Sequence, residues 1–342
     1  MTDIEPLIRP NIAALAPYST ARDECECKLG IFLDANESPY SNGWNRYPDP
    51  HQKVLKARIS EIKGIPVGNI FLGNGSDEAI DLVFRVFCTP GVDNVVAISP
   101  SYGMYTVAAA TNDIEVREVP LREDFSLDIE ALLAAKDERT KAIFLCSPNN
   151  PSGNAFTNAQ IEEIYRRSGC IVVLDEAYID FCSEPSMISK VEQMPGLLIL
   201  QTMSKARAMA ALRLGMAFAC RRIIDLMSMV KYPYNINEAT QQTALRLLSE
   251  PIDSQVAEIR SERARLTSAF EGMSFVQKVY PSEANFLLVK VADADALYDY
   301  LLGKGIIVRN RNRVRGCKGC LRITVGLREE NDRLIEVLNS YA

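Results

Sequence analysis

The stretch LLILQTMSKARAMAALRLGMA, residues 197–217, decides how the chain is read. Four apolar residues, Leu197 to Leu200, run without a polar break and stop at Gln201. A short run without alternation is a strand covered on both faces, which is the habit of parallel sheets flanked by helices. Ligands of such sheets bind beyond the carboxyl ends of the strands. That is where Thr202, Ser204 and Lys205 fall, followed by small residues and Arg213. Lys205 has no acid close to it in sequence. Desolvation lowers the pKa of such a lysine and makes its amine nucleophilic. Read as a plain helix, the segment puts Arg213 about 12 Å along the axis from Lys205. Two long side chains converge from that distance on one ligand carrying a carbonyl and a phosphate.

Outward from this stretch, strand-like and helix-like segments alternate. NIFLGNG, NVVAISP, KAIFLCSP, CIVVLDEAY, GLLILQTMS and MAFACR read as strands. SDEAIDLVFRVFC has apolar residues at helical spacing, YGMYTVAAAT follows as a helix, and Thr157 stands at the start of another, TNAQIEEIYRRS. The pattern predicts an α/β fold: a mostly parallel sheet flanked by helices. Beyond about residue 235, helical NEATQQTALRLL and AEIRSERARLTSAFEGM precede the strand-like ANFLLVKV, GIIVRN and CLRITVG, with DADALYDYLLGKG and REENDRLIEVLNSY helical. That is the pattern of a smaller α+β domain. The expected division is an N-terminal segment over 1–45 that covers the site, a large domain over 46–235 and a small domain over 236–342. No internal repeat or low-complexity tract interrupts it.

Bulk properties exclude several classes. The chain has 342 residues, 47% hydrophobic and 24% charged, with a formal net charge of −6. This is ordinary globular composition, and its acidity argues against nucleic acid or an anionic membrane as partner. No apolar stretch reaches the roughly 18 residues of a membrane helix, and the N-terminus lacks the features of a secretory signal. Nine cysteines, an odd number scattered through core-like segments, read as free thiols in a reducing compartment, so a cytoplasmic location is expected. Cys25/Cys27 and Cys317/Cys320 form CxC and CxxC pairs, but they are far apart and His51 is the sole histidine, so no metal site is expected. One histidine also removes most His-based catalytic schemes, including the Ser-His-Asp triad.

Four clusters follow apolar runs. In LGNGSDEAI, Gly73 and Gly75 permit a tight turn into a helix whose first residues, Ser76 and Asp77, present free N–H groups, a phosphate cup or simply an ordinary N-cap. In CSPNNPSG, Pro151 confines Asn150 to extended backbone and so aims its amide. In VVLDEAYIDF, Asp175 ends a strand, where a buried carboxylate needs a cation, and Tyr178 lies three residues on. The fourth cluster is Thr202, Ser204, Lys205 and Arg213. Pyridoxal phosphate (PLP) would use all four: a lysine for its aldehyde, an acid for its pyridine nitrogen, donors for its phenolic oxygen, and a helix start, hydroxyls and an arginine for its phosphate.

The sequence resembles the fold-type I PLP-dependent aminotransferases, and within them it is similar to the histidinol-phosphate aminotransferases. The resemblance runs through LDANESPY (33–40), NRYPDP (45–50), GNGSDE (73–78), SYGMY (101–105), CSPNNPSG (146–153), DEAYIDF (175–181), TMSKARAMAALRLG (202–215) and CLRITVG (320–326). It implies that Lys205 forms the Schiff base with the cofactor, that Asp175 pairs with the pyridine nitrogen, and that Asn150 and Tyr178 bond the phenolic oxygen. It implies that Tyr102 stacks on the ring and that Ser76, Asp77, Thr202, Ser204 and Arg213 hold the phosphate. Tyr47 matches a tyrosine that reaches the partner subunit's cofactor phosphate, which implies a homodimer. Arg309 and Arg322 match arginines that meet the substrate's anionic end, a task suited to the planar guanidinium fork. Tyr18 and Asn36 match positions that close over the substrate. The neighbouring Arg311, Arg313 and Arg315 are read as solvated. Arg207 stands where relatives are commonly apolar and has no evident partner in the sequence.

The implied reaction is transamination between histidinol phosphate and 2-oxoglutarate, giving imidazole acetol phosphate and glutamate, a step of histidine biosynthesis. An aromatic amino-acid aminotransferase or a threonine-phosphate decarboxylase of the same lineage would share Lys205, Asp175 and Arg213. A non-catalytic PLP-binding regulator needs a further, DNA-binding domain, for which the chain shows no residues to spare. A dinucleotide-binding oxidoreductase needs GxGxxG, and GNGSDE is not that.

Overall fold

A computed structural model describes residues 2–20 and 30–341. The strand at the centre of the argument, β6 (Leu197–Thr202), lies inside a seven-stranded sheet. Its companions are β1 (Ile70–Asn74), β2 (Asn94–Ser99), β3 (Glu115–Pro120), β4 (Thr140–Cys146), β5 (Ile171–Asp175) and β7 (Leu214–Phe218), in the order β1-β7-β6-β5-β4-β2-β3. The pairs from β6 through β5, β4 and β2 to β3 are parallel, whereas β7 runs antiparallel to both β6 and β1.

Both faces of this sheet are covered, which is why its strands lack polar alternation. In β6, Leu197 and Ile199 enter one apolar core while Leu198 and Leu200 enter the other, and β5 divides Val172 and Leu174 from Ile171 and Val173 in the same way. The first face is closed by Leu55 and Ile59 of the Lys53–Lys63 helix and by Ile161 and Ile164 of the Asn158–Ser168 helix. The second is closed by the Ser76–Phe87 helix, by Tyr105 and Ala108 of Met104–Thr111 and by Ile223 and Met227 of Arg221–Val230. Truncating a fully buried residue such as Ile199 to alanine costs about 2–5 kcal/mol. The Asn158–Ser168 helix starts where the sequence puts it. Thr157 accepts a hydrogen bond from the Gln160 N–H at 3.3 Å, and the Gln160 side chain accepts one from the Thr157 N–H at 3.0 Å.

A second, antiparallel sheet holds β8 (Val276–Val279), β9 (Phe286–Val291), β10 (Arg309–Asn310) and β11 (Cys320–Thr324), ordered β10-β11-β9-β8. Leu287, Val289, Leu321 and Ile323 face a core shared with the Asp253–Glu271, Ala294–Gly303 and Arg328–Asn339 helices. The intervening residues face the other way, and Phe286 joins Tyr178, Phe181 and Ala206 against the large sheet. This alternation aims Arg322 back at the ends of β4, β5 and β6.

Three expectations need correcting. Residues 205–213 are not a helix. They form turns and a 3-10 segment, Ala210–Leu212, between antiparallel β6 and β7, closed by the Met203 N–H donating to the Leu214 carbonyl at 3.0 Å. GIIVRN contributes only Arg309–Asn310 to the sheet, and Val276–Val279 adds a strand not anticipated in VQKV. The Glu238–Leu247 helix has Ala244 in the core of the large sheet, which the sequence pattern did not suggest. Among the described residues, no helix is long and apolar enough to cross a membrane.

Candidate active site

A cleft of about 1030 Å³ opens over the carboxyl ends of the parallel strands, between the two sheets. Asp175 is the last residue of β5 and 3% exposed. Its Oδ2 accepts the Tyr105 hydroxyl at 2.8 Å and its Oδ1 accepts the Ala177 N–H at 3.0 Å. Burial raises the carboxyl to about 6, and these two donors act against that rise. Tyr105 is itself fully buried, with its hydroxyl pushed well above the usual range by burial and then by Asp175, so it stays a donor. Sequence reasoning missed Tyr105. Its signal was the position three residues after Tyr102, one helical turn on.

Lys205 lies just past β6 with its tip in the open cleft, 5.5 Å from the centre of the Tyr178 ring. Surrounding protein lowers its pKa, first by desolvation and then through the charge of Arg322. Tyr178 follows β5, stands edge-on to Phe286 at 5.1 Å, and has its hydroxyl raised by burial. Asn150 is buried in the turn after β4, and its Oδ1 accepts from Arg322 Nη1. That contact leaves the Asn150 NH2 as the end free to donate into the cleft.

At the opposite wall, Gly75 takes φ +71° and starts the Ser76–Phe87 helix without a side-chain cap, leaving N–H groups at the helix start. The Gly75 N–H donates to the Arg213 carbonyl at 2.7 Å. Gly215 makes this approach possible: a Cβ there would lie 2.1 Å from the Ser76 nitrogen. Arg213, at φ +53°, places Nη2 3.5 Å from Asp77 Oδ2, and the Tyr102 hydroxyl donates to Asp77 Oδ1 at 3.0 Å. The Asp77 carboxylate therefore holds Arg213 and Tyr102, while its backbone N–H remains for an anion. Thr202 is buried, with its Oγ1 accepting the Ser204 N–H at 3.1 Å, and both line the cleft.

Across from these groups, Arg322 of β11 lies opposite Arg309 of β10, and both line the cleft. The Arg322 guanidinium lies 5.2 Å from the Phe286 ring centre. Burial followed by the charge of Arg309 moves its pKa down, with Tyr178 acting the other way. The reading of the basic loop as solvated holds for Arg313 and Arg315, which are exposed, Arg315 at the edge of the cleft, but not for Arg311, which is half-buried and lines the cleft. Arg207 does have a partner: its Nη1 donates to the Glu250 carbonyl at 3.2 Å, just past the Glu238–Leu247 helix.

Three expected residues do not line the cleft of their own chain. Tyr47 is 52% exposed and stacked on Tyr234 at 4.5 Å, with its N–H donating to Glu37 Oε1 at 2.7 Å. Tyr18 lies beside His51 and Lys53 in a separate depression, and Asn36 is exposed at φ +55°. Cys317 and Cys320 are buried beside Phe125 and Tyr280, which raises their thiols to about 12 and about 11. Cys25 and Cys27 fall outside the described residues. No group of three or more potential metal ligands comes together among the described residues.

The donor set fits PLP. A lysine amine, a buried carboxylate, the side-chain donors of Asn150 and Tyr178, and an uncapped helix start beside Arg213 line a single cleft, and these are the kinds of group that cofactor requires.

Comparison with known proteins places this geometry in a family. A family model described as aminotransferase class I and II matches residues 33–338. A Parabacteroides distasonis protein named histidinol-phosphate aminotransferase is 54% identical over 342 residues, covering 99% of this chain and 99% of its own. One from Bacteroides fragilis with the same name is 53% identical over 344 residues, covering all of both chains. The crystal structure of histidinol-phosphate aminotransferase from Clostridium acetobutylicum superposes with a TM-score of 0.80 at 24% identity, over 86% of this chain and 90% of that one. L-threonine-O-3-phosphate decarboxylase from Porphyromonas gingivalis gives 0.74 at 22% identity, over 86% and 90%, so backbone shape alone does not separate the two activities. Matched through most of its length by the family model, and by relatives at over half identity, the chain belongs to the class I and II aminotransferases.

Proposed function

We propose that the protein is a PLP-dependent transaminase that interconverts histidinol phosphate and 2-oxoglutarate with imidazole acetol phosphate and glutamate; its close relatives are named histidinol-phosphate aminotransferase. The observation that carries this reading is one cleft with Lys205 and Asp175 at its floor and the Arg309–Arg322 pair on the opposite wall. Both amino donors carry an anion, a phosphate ester or a carboxylate, and paired guanidinium forks accept either.

The bound cofactor supplies an aldehyde that captures the donor's amine and a cationic ring that withdraws electrons from the donor's α-carbon. The chain's own residues do the rest. Asp175, held by Tyr105 and the Ala177 N–H, keeps the positive charge on the ring nitrogen. Asn150 and Tyr178 would donate to the phenolic oxygen. Ser76, the Asp77 backbone, Thr202, Ser204 and Arg213 would hold the phosphate, with the Tyr102 ring against the pyridine. Lys205 Nζ, the amine that would hold the cofactor's aldehyde, would also serve as the base and acid that moves the donor's α-proton. Desolvation and the charge of Arg322, which lower its pKa, favour the neutral form that accepts a proton.

We further infer a homodimer in which Tyr47 reaches the partner's cofactor phosphate and Tyr18 and Asn36 close over substrate. Support comes from the apolar surface of the 30–47 segment, where Ile31 is 90%, Leu33 88% and Tyr40 85% exposed. We propose the division 1–45, 46–235 and 236–342, in which the Glu238–Leu247 helix packs back on the large-sheet core through Ala244. Turnover of PLP-loaded protein with 2-oxoglutarate and each of histidinol phosphate, tyrosine and O-phosphothreonine tests the function. A kcat/KM highest for histidinol phosphate supports it, and a higher value for tyrosine, or release of CO2 from O-phosphothreonine, overturns it. Sedimentation at twice the chain mass is expected for the dimer, and a monomer at micromolar concentration contradicts it.

A further inference from the structure

The loop after β10 carries an arginine that the reaction described so far does not use. Arg311 extends the β10–β11 ladder by one residue, its N–H donating to the Cys320 carbonyl at 2.9 Å. It stands two residues from Arg309 and therefore on the same strand face, and Arg309 lies directly opposite Arg322. All three guanidinium groups line the cleft. Arg322 already spends a donor on Asn150. Among the described residues Arg311 spends none: its Nε is shielded from water and has no partner there. Asp295, the acid bonded to this loop, is engaged by the amides of Asn310 and Asn312. Burial and the charges of Arg322 and Arg309 both act against the protonated form of Arg311. A half-buried cation beside two others, with an unpartnered donor, gains stability when an anion enters the cleft.

A carboxylate offers two oxygens and one charge, which a pair of arginines satisfies. A phosphomonoester has a third terminal oxygen and, above its second pKa of about 6, close to a second charge. We propose that Arg311 is the third arm of the anion site and the residue that sets its preference for a phosphomonoester dianion over a carboxylate. The inference rests on reading Arg309 and Arg322 as the groups that meet the substrate's distal anion.

The test uses PLP-loaded wild type, Arg311→Gln, Arg311→Lys and Arg313→Gln. The last removes the same charge from an exposed site on the same loop. For Arg311→Gln, KM for histidinol phosphate is expected to rise about 10- to 100-fold, with kcat and the kcat/KM for glutamate within about threefold. Arg311→Lys recovers part of the loss, and Arg313→Gln changes neither substrate. Inorganic phosphate, tested as an inhibitor competitive with glutamate, binds wild type more tightly as pH rises from 5.5 to 7.5, and Arg311→Gln loses most of that gain. Equal losses on histidinol phosphate and glutamate, or no selective loss, overturn the assignment. If wild type prefers a donor without phosphate, the substrate reading fails. The phosphate inhibition still decides Arg311: an unchanged pH dependence in Arg311→Gln refutes it by itself.

Discussion

Replacing Asp175 with asparagine is expected to stabilise the cofactor-free protein while weakening its hold on PLP. Asp175 is buried, and its carboxyl is raised from 3.8 to about 6, chiefly by desolvation. A shift of about 2 units at 1.36 kcal/mol each places a ceiling of about 3 kcal/mol on what the charge costs the folded state. Because the folded pKa is the higher one, there is no cost well below 3.8, where the group is protonated in both states. The cost grows as pH rises from about 4 to about 6, as the unfolded chain ionises and the folded one does not, and is constant above about 7. Asparagine never ionises. Its oxygen still accepts the Ala177 N–H, and its NH2 meets a Tyr105 hydroxyl that accepts after rotating. Cofactor-stripped Asp175→Asn is therefore predicted to unfold a few degrees above wild type at pH 8, with the gap closing towards pH 4.5. The same change removes the charged partner of the ring nitrogen, which weakens PLP binding about 10- to 100-fold. Thermal denaturation of the stripped proteins at pH 4.5, 6 and 8, with a fluorescence titration of PLP at pH 8, measures both effects. A stripped variant less stable than wild type at pH 8, or a gap that does not change with pH, refutes the reasoning.

Other changes have equally definite outcomes. Gly215→Ala drives a methyl into the Gly75–Ser76 backbone, so PLP affinity is expected to fall at least tenfold and Tm to drop, both readable by titration and calorimetry. Tyr105→Phe removes a donor to ionised Asp175 and moves that carboxyl further up. The weakening of PLP binding relative to wild type should be largest near pH 6 and shrink towards pH 8.5, and a pH-independent ratio contradicts it. Thr157→Ala, which removes the helix cap opposite Gln160, is expected to cost about 1 kcal/mol in denaturant unfolding with kcat unchanged.

The parts of this molecule that were legible in its sequence are those fixed by local chemistry. Unbroken apolar runs such as 171–174 and 197–200 announce strands covered on both faces, and the candidate site residues follow them: Asp175 closing β5, Asn150 after β4, Lys205 after β6. Tertiary geometry escaped the reading. A small-residue run such as Ala206 to Ala211 suits a helix by propensity, but antiparallel pairing of β6 with β7 forces a turn there instead, with Ala208 at φ +53°. Tyr105 looked like one more apolar residue of a helix, because its partner Asp175 is 70 residues away in the chain. Arg311 looked solvated because a run of alternating arginines is usually a wet loop. The strand alternation that turns it inward is set by pairing with β11. Tyr18, Asn36 and Tyr47 match family positions that a single chain does not bring to its own cleft, and no local signal carries that information.

The central claim is that Lys205 holds PLP in a cleft built for histidinol phosphate, and the visible spectrum of PLP-loaded protein tests it most directly. The account predicts a cofactor band that is absent in Lys205→Ala and that disappears on titration with low concentrations of histidinol phosphate while tyrosine leaves it nearly unchanged. A band that responds more strongly to tyrosine contradicts the substrate assignment. A wild-type protein that forms no such band contradicts the site itself.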